Sequence, residues 1–133
     1  MNKLLLAAAQ IALPTIDNDY RNFWLGSIGL REDGVMVSAK NGAAETSHSV
    51  KQYELQPNSH AEGRLLRKLG KKGIIYVARI AKGTGKLAMA APCGMCQIRI
   101  RAAHTKKVYF TINETQYGVW IPSTDKYKIY TES

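Results

Sequence analysis

Two short segments of the sequence combine residue types that bind metals. His60-Ala61-Glu62 places an imidazole two residues before a carboxylate, and Cys93 and Cys96 stand three residues apart. Residues i and i+3 project from one face of a helix, so both thiolates can reach one ion. If the two segments meet, one nitrogen and two sulfurs suit tetrahedral zinc and leave a fourth position open. An open position is typical of catalytic zinc, whereas structural zinc has four protein ligands.

The charges of this ligand set are consistent with catalysis. Two thiolates neutralise Zn²⁺, and a helix N-terminus at each segment would add positive potential that stabilises thiolates. Zinc lowers the pKa of bound water to roughly 7. Two electron-donating thiolates make the zinc a weaker acid than an all-histidine site would, so a nearby carboxylate base is needed. Glu62 is the candidate for that base.

Each segment also has an interpretation that involves no metal. Ser59 and Glu62 have the spacing of a capping box, in which the glutamate only satisfies backbone N–H groups. Cys93 and Cys96 have the spacing of a redox pair. His60 alone is compatible with an ordinary polar role. Zinc is favoured because the three features occur together, at the starts of two predicted helices.

Hydrophobic periodicity and turn residues predict an alternating α/β chain. The predicted elements are a helix at Asn2–Leu13, strands at Phe23–Arg31 and Val35–Lys40, a loop at Asn41–Asn58, a helix from Ser59 to Gly70, a strand at Ile74–Ile80, a helix at Pro92–Ala103, a strand at Lys107–Asn113, a turn at Glu114–Tyr117 and a strand at Gly118–Ile121. The short last connection predicts a C-terminal antiparallel hairpin. We therefore expect one domain over residues 1–133, with a five-stranded mixed sheet between helices in a three-layer α/β/α arrangement.

The pattern His60-x-Glu62 followed by Pro92-Cys93-x-x-Cys96 resembles the signature of zinc nucleobase deaminases in the cytidine deaminase-like superfamily. This resemblance implies the cytidine-deaminase-like fold, with zinc held by His60, Cys93 and Cys96. It implies that the zinc activates a water that attacks C4 of cytosine or C6 of adenine. Glu62 would then be the proton shuttle.

The same resemblance implies contacts to a substrate. Asn41, at the end of the second predicted strand, matches the family asparagine that contacts the sugar. The backbones of Ala61 and Ala91 would hold the pyrimidine edge. Arg21 precedes the first strand, where relatives have a pocket-edge loop, and could meet a phosphate. Relatives often form dimers or tetramers whose neighbours complete the pockets, so a homo-oligomer is also compatible with the resemblance.

Features that separate groups within the superfamily give mixed signals about the substrate. The Pro92–Cys96 segment resembles free-cytidine deaminases, whereas histidine at position 60 resembles deoxycytidylate, tRNA-adenosine and polynucleotide-editing deaminases. The connection from Asn113 to Gly118 is too short for the helix that the tRNA-adenosine and deoxycytidylate groups usually insert. The chain looks most like small viral and microbial members of the cytidine/deoxycytidylate type. We expect conversion of cytosine to uracil in cytidine, deoxycytidine or its monophosphate.

The chain has 19 lysine and arginine residues against 10 aspartate and glutamate residues, a net charge of +9 that suggests anionic partners. Most of the clustered cations fall near the predicted C-terminal ends of the second and third helices. Positive charge there interacts favourably with the helix dipole and stabilises the helix. They are Arg64, Arg67, Lys68, Lys71, Lys72, Arg99, Arg101, Lys106 and Lys107. A small nucleoside or nucleotide is therefore the first expectation. The alternatives are deamination of cytosine or adenine in single-stranded DNA or RNA, and a non-catalytic zinc-binding module.

Composition and hydropathy describe an ordinary globular protein, with 45% hydrophobic residues. No apolar run approaches the ~18 residues that cross a bilayer. The run Leu4–Ala9 imitates a short signal peptide, but Gln10 interrupts it and its apolar residues recur at helical spacing. Two cysteines at metal-ligand spacing fit a reducing compartment. We therefore expect a cytoplasmic protein without a membrane partner.

Overall fold

A computed structural model of the chain describes residues 2–13, 23–40, 65–66, 68–81, 83–92 and 94–131. Its helices include α1 (Lys3–Ala12) and α2 (Gly94–Ala102). Its strands are β1 (Phe23–Leu30), β2 (Met36–Lys40), β3 (Ile74–Ala81), β4 (Leu87–Ala88), β5 (Lys107–Thr111), β6 (Gln116–Ile121) and β7 (Lys126–Thr131). Residues 65–66 and 68–69 are also helical and fall at the end of the second predicted helix.

One mixed sheet contains all of these strands, in the order β2–β1–β3–β5–β6–β7, with β4 as a further neighbour of β3. Strands β3 and β5 run parallel from Ile74↔Lys107 to Val77↔Phe110. Parallel neighbours need a crossover connection, and α2 lies in it. β5 and β6 form the antiparallel hairpin that the sequence predicts. The predicted α/β class with a mixed sheet is confirmed.

The predicted count of five strands is wrong, because the described residues form a seven-stranded sheet. β4 has two residues and is too short to show a periodicity. β7 is exposed along its whole length, so it lacks the buried face that makes an alternating pattern recognisable. The predicted turn at Glu114–Tyr117 is also too long. Asn113 Oδ1 accepts hydrogen bonds from the backbone N–H groups of Thr115 and Gln116, and this tight turn lets β6 begin at Gln116.

Helices cover both faces of the sheet, as the three-layer prediction requires. Because strand residues alternate between faces, the buried side chains divide into two clusters. The α1 cluster contains Leu5, Ala8, Ala9, Ala12, Ile28, Tyr76, Ala78 and Ile80. The α2 cluster contains Ala39, Leu65, Leu69, Ile75, Val77, Ala90, Cys96, Ile100, Val108, Phe110 and Trp120. Among the helices that are described, none has the length and hydropathy of a membrane span.

Helix α1 is defined by its cap and by its close approach to β1. Asn2 Oδ1 accepts hydrogen bonds from Leu4 N and Leu5 N, which is the preferred arrangement at a helix start. A Cβ atom at Gly26 on β1 would collide with the backbone carbonyl oxygen of Ala8 in α1. Glycine at this position therefore lets the helix backbone lie directly on the strand.

We expect Gly26→Ala to destabilise the fold by about 1–3 kcal/mol, the usual cost of overpacking. The obstacle is helix backbone, which cannot rotate aside as a side chain can. Urea unfolding followed by circular dichroism would show a lower midpoint. Gly83→Ala is the matched control, because a Cβ there meets no atom within 4 Å. An unchanged midpoint for Gly26→Ala would mean that α1 does not press on β1 in solution.

Four tyrosines form a ladder across the α1 face, one on each of strands β3, β5, β6 and β7. The ring centroids of Tyr76 and Tyr109 are 4.6 Å apart, and those of Tyr117 and Tyr130 are 5.1 Å apart. Burial raises the pKa of the Tyr76 phenol, and neighbouring Tyr109 adds to the effect. At the outer end, Lys128 Nζ lies 5.2 Å from the centroid of the Tyr130 ring. The ladder thus runs from the buried centre of the sheet to its exposed edge.

Candidate active site

The structure describes two of the residues predicted to form the site, Cys96 and Ala91. The other predicted site residues lie outside the described part of the chain. They are Arg21, Asn41, His60, Ala61, Glu62 and Cys93. Their roles therefore remain predictions.

Cys96 lies in the first turn of α2 and faces the sheet. Its side chain is 1% exposed and belongs to the α2 cluster together with Ala90 and Ile100. The first turn of this helix contains no acidic residue. Unpaired N–H groups at a helix start stabilise a thiolate. A buried sulfur at this position, with Cys93 three residues earlier in the sequence, fits the donor chemistry of a zinc ligand.

No group of three or more histidine, cysteine and acidic side chains converges within the residues that the structure describes. Of the predicted ligand set, Cys96 alone falls inside those ranges. The chain has a further histidine, His104, which lies just beyond the end of α2 with an exposed side chain. Cys96 and His104 therefore lie at opposite ends of α2. A role for His104 in the same centre is not supported.

The strands β3 and β5 diverge where the chain approaches α2. Their parallel pairing ends at Val77↔Phe110. Beyond this point β4 pairs with β3 through Arg79↔Ala88, and Ala90 N donates a hydrogen bond to Thr111 O at 2.8 Å. Because β1 occupies the other edge of β3 along its whole length, residues 87–92 enter on the β5 side. We call residues 87–92 the pre-cysteine segment, because they lead directly to Cys93.

The side chain of Thr111 lies at this fork and is fully buried. Its Oγ1 donates a hydrogen bond to Ala88 O at 2.7 Å and accepts one from Arg79 N at 3.2 Å. The guanidinium of Arg79 also donates to Met89 O, at 3.4 Å. One hydroxyl therefore connects β5 to both β3 and β4 at the point where regular strand pairing stops.

Two further hydrogen bonds fix the ends of the pre-cysteine segment. Leu87 N donates to the carboxylate of Glu114 at 2.7 Å, and Gln97 Nε2 donates to Pro92 O at 3.0 Å. Ala91, whose backbone is predicted to face the pyrimidine, is exposed between these fixed points. The segment is thus held at both ends while Ala91 remains accessible.

Sequence reasoning missed the residues that hold this segment. Thr111 ends a strand whose other residues read as ordinary sheet sequence, and Glu114 falls in a predicted turn. The only local signal is a hydroxyl at the last position of a largely buried strand. Its partners come from β3 and β4, so their identity depends on tertiary pairing rather than on spacing along the chain.

Some of the basic residues near the helix ends have structural partners. Arg101, in the last turn of α2, pairs with Asp125 at 2.9 Å and lies 5.3 Å from the centroid of the Trp120 ring. Lys68 Nζ donates a hydrogen bond to Ser38 O at 2.7 Å. These two cations contribute to packing between elements. They agree with the prediction that positive charge at the helix ends has structural uses.

Comparison with known proteins identifies the family. No curated protein sequence gave a match. The family model described as the cytidine and deoxycytidylate deaminase zinc-binding region matches residues 2–112. The matched range runs from α1 to the end of β5 and includes His60, Glu62, Cys93 and Cys96. The chain therefore belongs to the family of the cytidine and deoxycytidylate deaminase zinc-binding region.

Proposed function

We propose that this protein is a hydrolytic deaminase that converts cytosine to uracil in cytidine, deoxycytidine or deoxycytidylate. Water supplies the new oxygen at C4, and the amino group leaves as ammonia. The family match over residues 2–112 carries the proposal. The burial of Cys96 in the first turn of α2 supports it, because that position suits a thiolate ligand.

His60, Cys93 and Cys96 would hold the zinc ion. When bound, zinc supplies a Lewis acid that makes water nucleophilic at neutral pH. Glu62 would accept the proton of the attacking water and deliver it to the departing amine. The same carboxyl group would thus act first as base and then as acid, and ammonia would leave as a neutral molecule.

Substrate recognition would come from four further positions. Asn41 would contact the sugar, and the backbones of Ala61 and Ala91 would bind the edge of the base. Arg21 would pair with a phosphate when the substrate carries one. For Ala91 the structure adds support, because the pre-cysteine segment fixes its neighbours and leaves it exposed. We further propose a cytoplasmic location, because the cysteines suit a metal and a reducing compartment.

Salt dependence provides the test between small and polymeric substrates. Affinity for single strands falls with salt, with a logarithmic slope of roughly −0.7 per phosphate contact. We expect turnover of free cytosine nucleosides or nucleotides, measured as ammonia release from a substrate panel, to change little between low and moderate salt. Arg21→Ala should raise KM for a monophosphate more than for the matching nucleoside, since only the monophosphate offers a charged partner.

Lys106→Ala is the control for Arg21→Ala, because Lys106 is an exposed cation beyond the end of α2. It should alter neither KM. The contrary result would be no turnover of any free nucleoside or nucleotide, combined with deamination of single-stranded oligonucleotides that collapses as salt is added. That result would assign the protein to the polynucleotide-editing class.

A further inference from the structure

We propose that Thr111 is a positioning residue of the deaminase site. Its hydroxyl fixes the pre-cysteine segment and thereby sets the approach of the chain to Cys93, Cys96 and the start of α2. The same bonds set the backbone of Ala91. This inference rests on the proposed function, because the role of Thr111 is to position the predicted zinc ligands. Thr111 itself would not contact the metal.

Thr111 holds the pre-cysteine segment at two points. Its Oγ1 donates to Ala88 O at 2.7 Å, and its backbone oxygen accepts from Ala90 N at 2.8 Å. These bonds flank Met89 and lie a few residues before Cys93 in the sequence. A single residue of β5 therefore fixes both the position and the direction of the chain as it leaves the sheet.

The hydroxyl has a function that no apolar side chain can replace. It donates to Ala88 O and accepts from Arg79 N at the same time, in a position without solvent exposure. Without it, the carbonyl of Ala88 and the N–H of Arg79, both in half-buried residues, would each lose this partner, which costs free energy unless the segment moves toward water. Movement of the pre-cysteine segment would shift the first turn of α2, which follows it directly.

Metal affinity should respond to such a shift. A ligand set that is held in place before binding loses less conformational freedom when the ion arrives. Residues outside the ligand set that fix its geometry typically contribute 10–100-fold to metal affinity. Because Thr111 acts through the chain rather than on a ligand atom, we expect an effect near the lower end of that range.

A buried threonine nearby provides a matched control. Thr105 precedes β5 and is 3% exposed, and its Oγ1 has no hydrogen-bond partner in the part of the chain that the structure describes. Replacement of either threonine by valine exchanges a hydroxyl for a methyl group of similar size. The Thr111 variant loses hydrogen bonds at the fork, whereas the Thr105 variant loses none of those described.

The test is a cobalt(II) titration of the full chain after zinc has been removed. The thiolate-to-cobalt charge-transfer band in the near ultraviolet reports binding to the cysteines without any need for turnover. We expect Thr111→Val to bind cobalt about tenfold more weakly than the wild type and to show an altered band intensity. Thr111→Ser should restore both properties, and Thr105→Val should match the wild type.

The outcomes separate this inference from the proposed function. Wild-type cobalt affinity and spectrum in Thr111→Val, even with a lower melting temperature, would limit Thr111 to general stability and overturn the inference alone. A wild-type chain that shows no thiolate-to-cobalt band would overturn the zinc site itself. If Thr111→Val does not fold, Thr111→Ser and Thr111→Ala replace it. Both of these lack the methyl group, and only serine keeps the hydroxyl.

Discussion

Glu62→Gln is expected to abolish turnover while zinc content and unfolding behaviour remain those of the wild type. Loss of a general acid and base typically lowers the rate 10²–10⁴-fold, and more where one group serves several steps. Glutamine cannot carry the proton, but it can occupy the last position of a capping box as glutamate does. The variant therefore separates proton transfer from helix capping. Ammonia release, zinc content and thermal unfolding would be measured on the same preparation.

Two further variants complete the comparison. Glu62→Ala removes the cap as well, and it should lower stability by only ~1 kcal/mol while turnover is again lost. Glu32→Gln changes an exposed glutamate in the turn between β1 and β2 and should be neutral. If Glu62→Gln retains activity within a few-fold, or if Glu62→Ala unfolds the chain, Glu62 is a structural cap and not the proton shuttle.

The second large effect concerns the metal. Purified wild-type protein should contain about one zinc per chain, as expected for a three-ligand catalytic site. Cys93→Ser, Cys96→Ser and His60→Ala should each lose the metal, because three protein ligands leave no substitute when one is removed. Since metal binding is linked to folding, each variant should also melt at a lower temperature than the wild type. Elemental analysis and thermal unfolding with and without a chelator provide the measurements.

The control for His60→Ala is His104→Asn. His104 is exposed and has a φ angle of 54°, a conformation that asparagine tolerates better than alanine does. The His104→Asn variant should retain full zinc occupancy. A chelator should lower the melting temperature of the wild type and leave that of Cys93→Ser unchanged. Full zinc occupancy in Cys93→Ser would refute the assignment of the ligands.

Elements with local signals could be predicted from the sequence. The predicted helix at Asn2–Leu13 agrees with α1 to within one residue at each end, because Asn2 caps it and Pro14 follows it. The predicted strand at Lys107–Asn113 is two residues too long. It ends at Thr111 because Ile112 and Asn113 already belong to the tight turn, in which the N–H groups of both donate to Gln116 O. A helix whose ends carry cap and proline signals is thus easier to predict than a strand end that depends on the geometry of a turn.

The candidate site shows the same division. The predicted ligand set, including Cys96, rests on residue types and spacing, and the range that the family model matches includes all of these residues. The support for that pattern does not follow from the sequence in the same way. Thr111 and Glu114 act on Ala88 and Leu87 only because the sheet brings β5 and the loop after it against β4. Such contacts are a product of topology, which no short motif encodes.

The outer strand β7 affects how the protein behaves at high concentration. In the part of the chain that the structure describes, β6 is its only neighbour, so its other edge offers backbone groups to which a foreign strand could add. Lys126 and Lys128 lie on the same face of β7 as Tyr130. Addition of an identical strand would therefore place like charges close together beside the end of the tyrosine ladder. This repulsion weakens as salt rises, since the screening length falls from about 10 Å at 0.1 M to about 3 Å at 1 M. We therefore expect charge repulsion to hinder strand addition at this edge, and concentrated salt to weaken that protection.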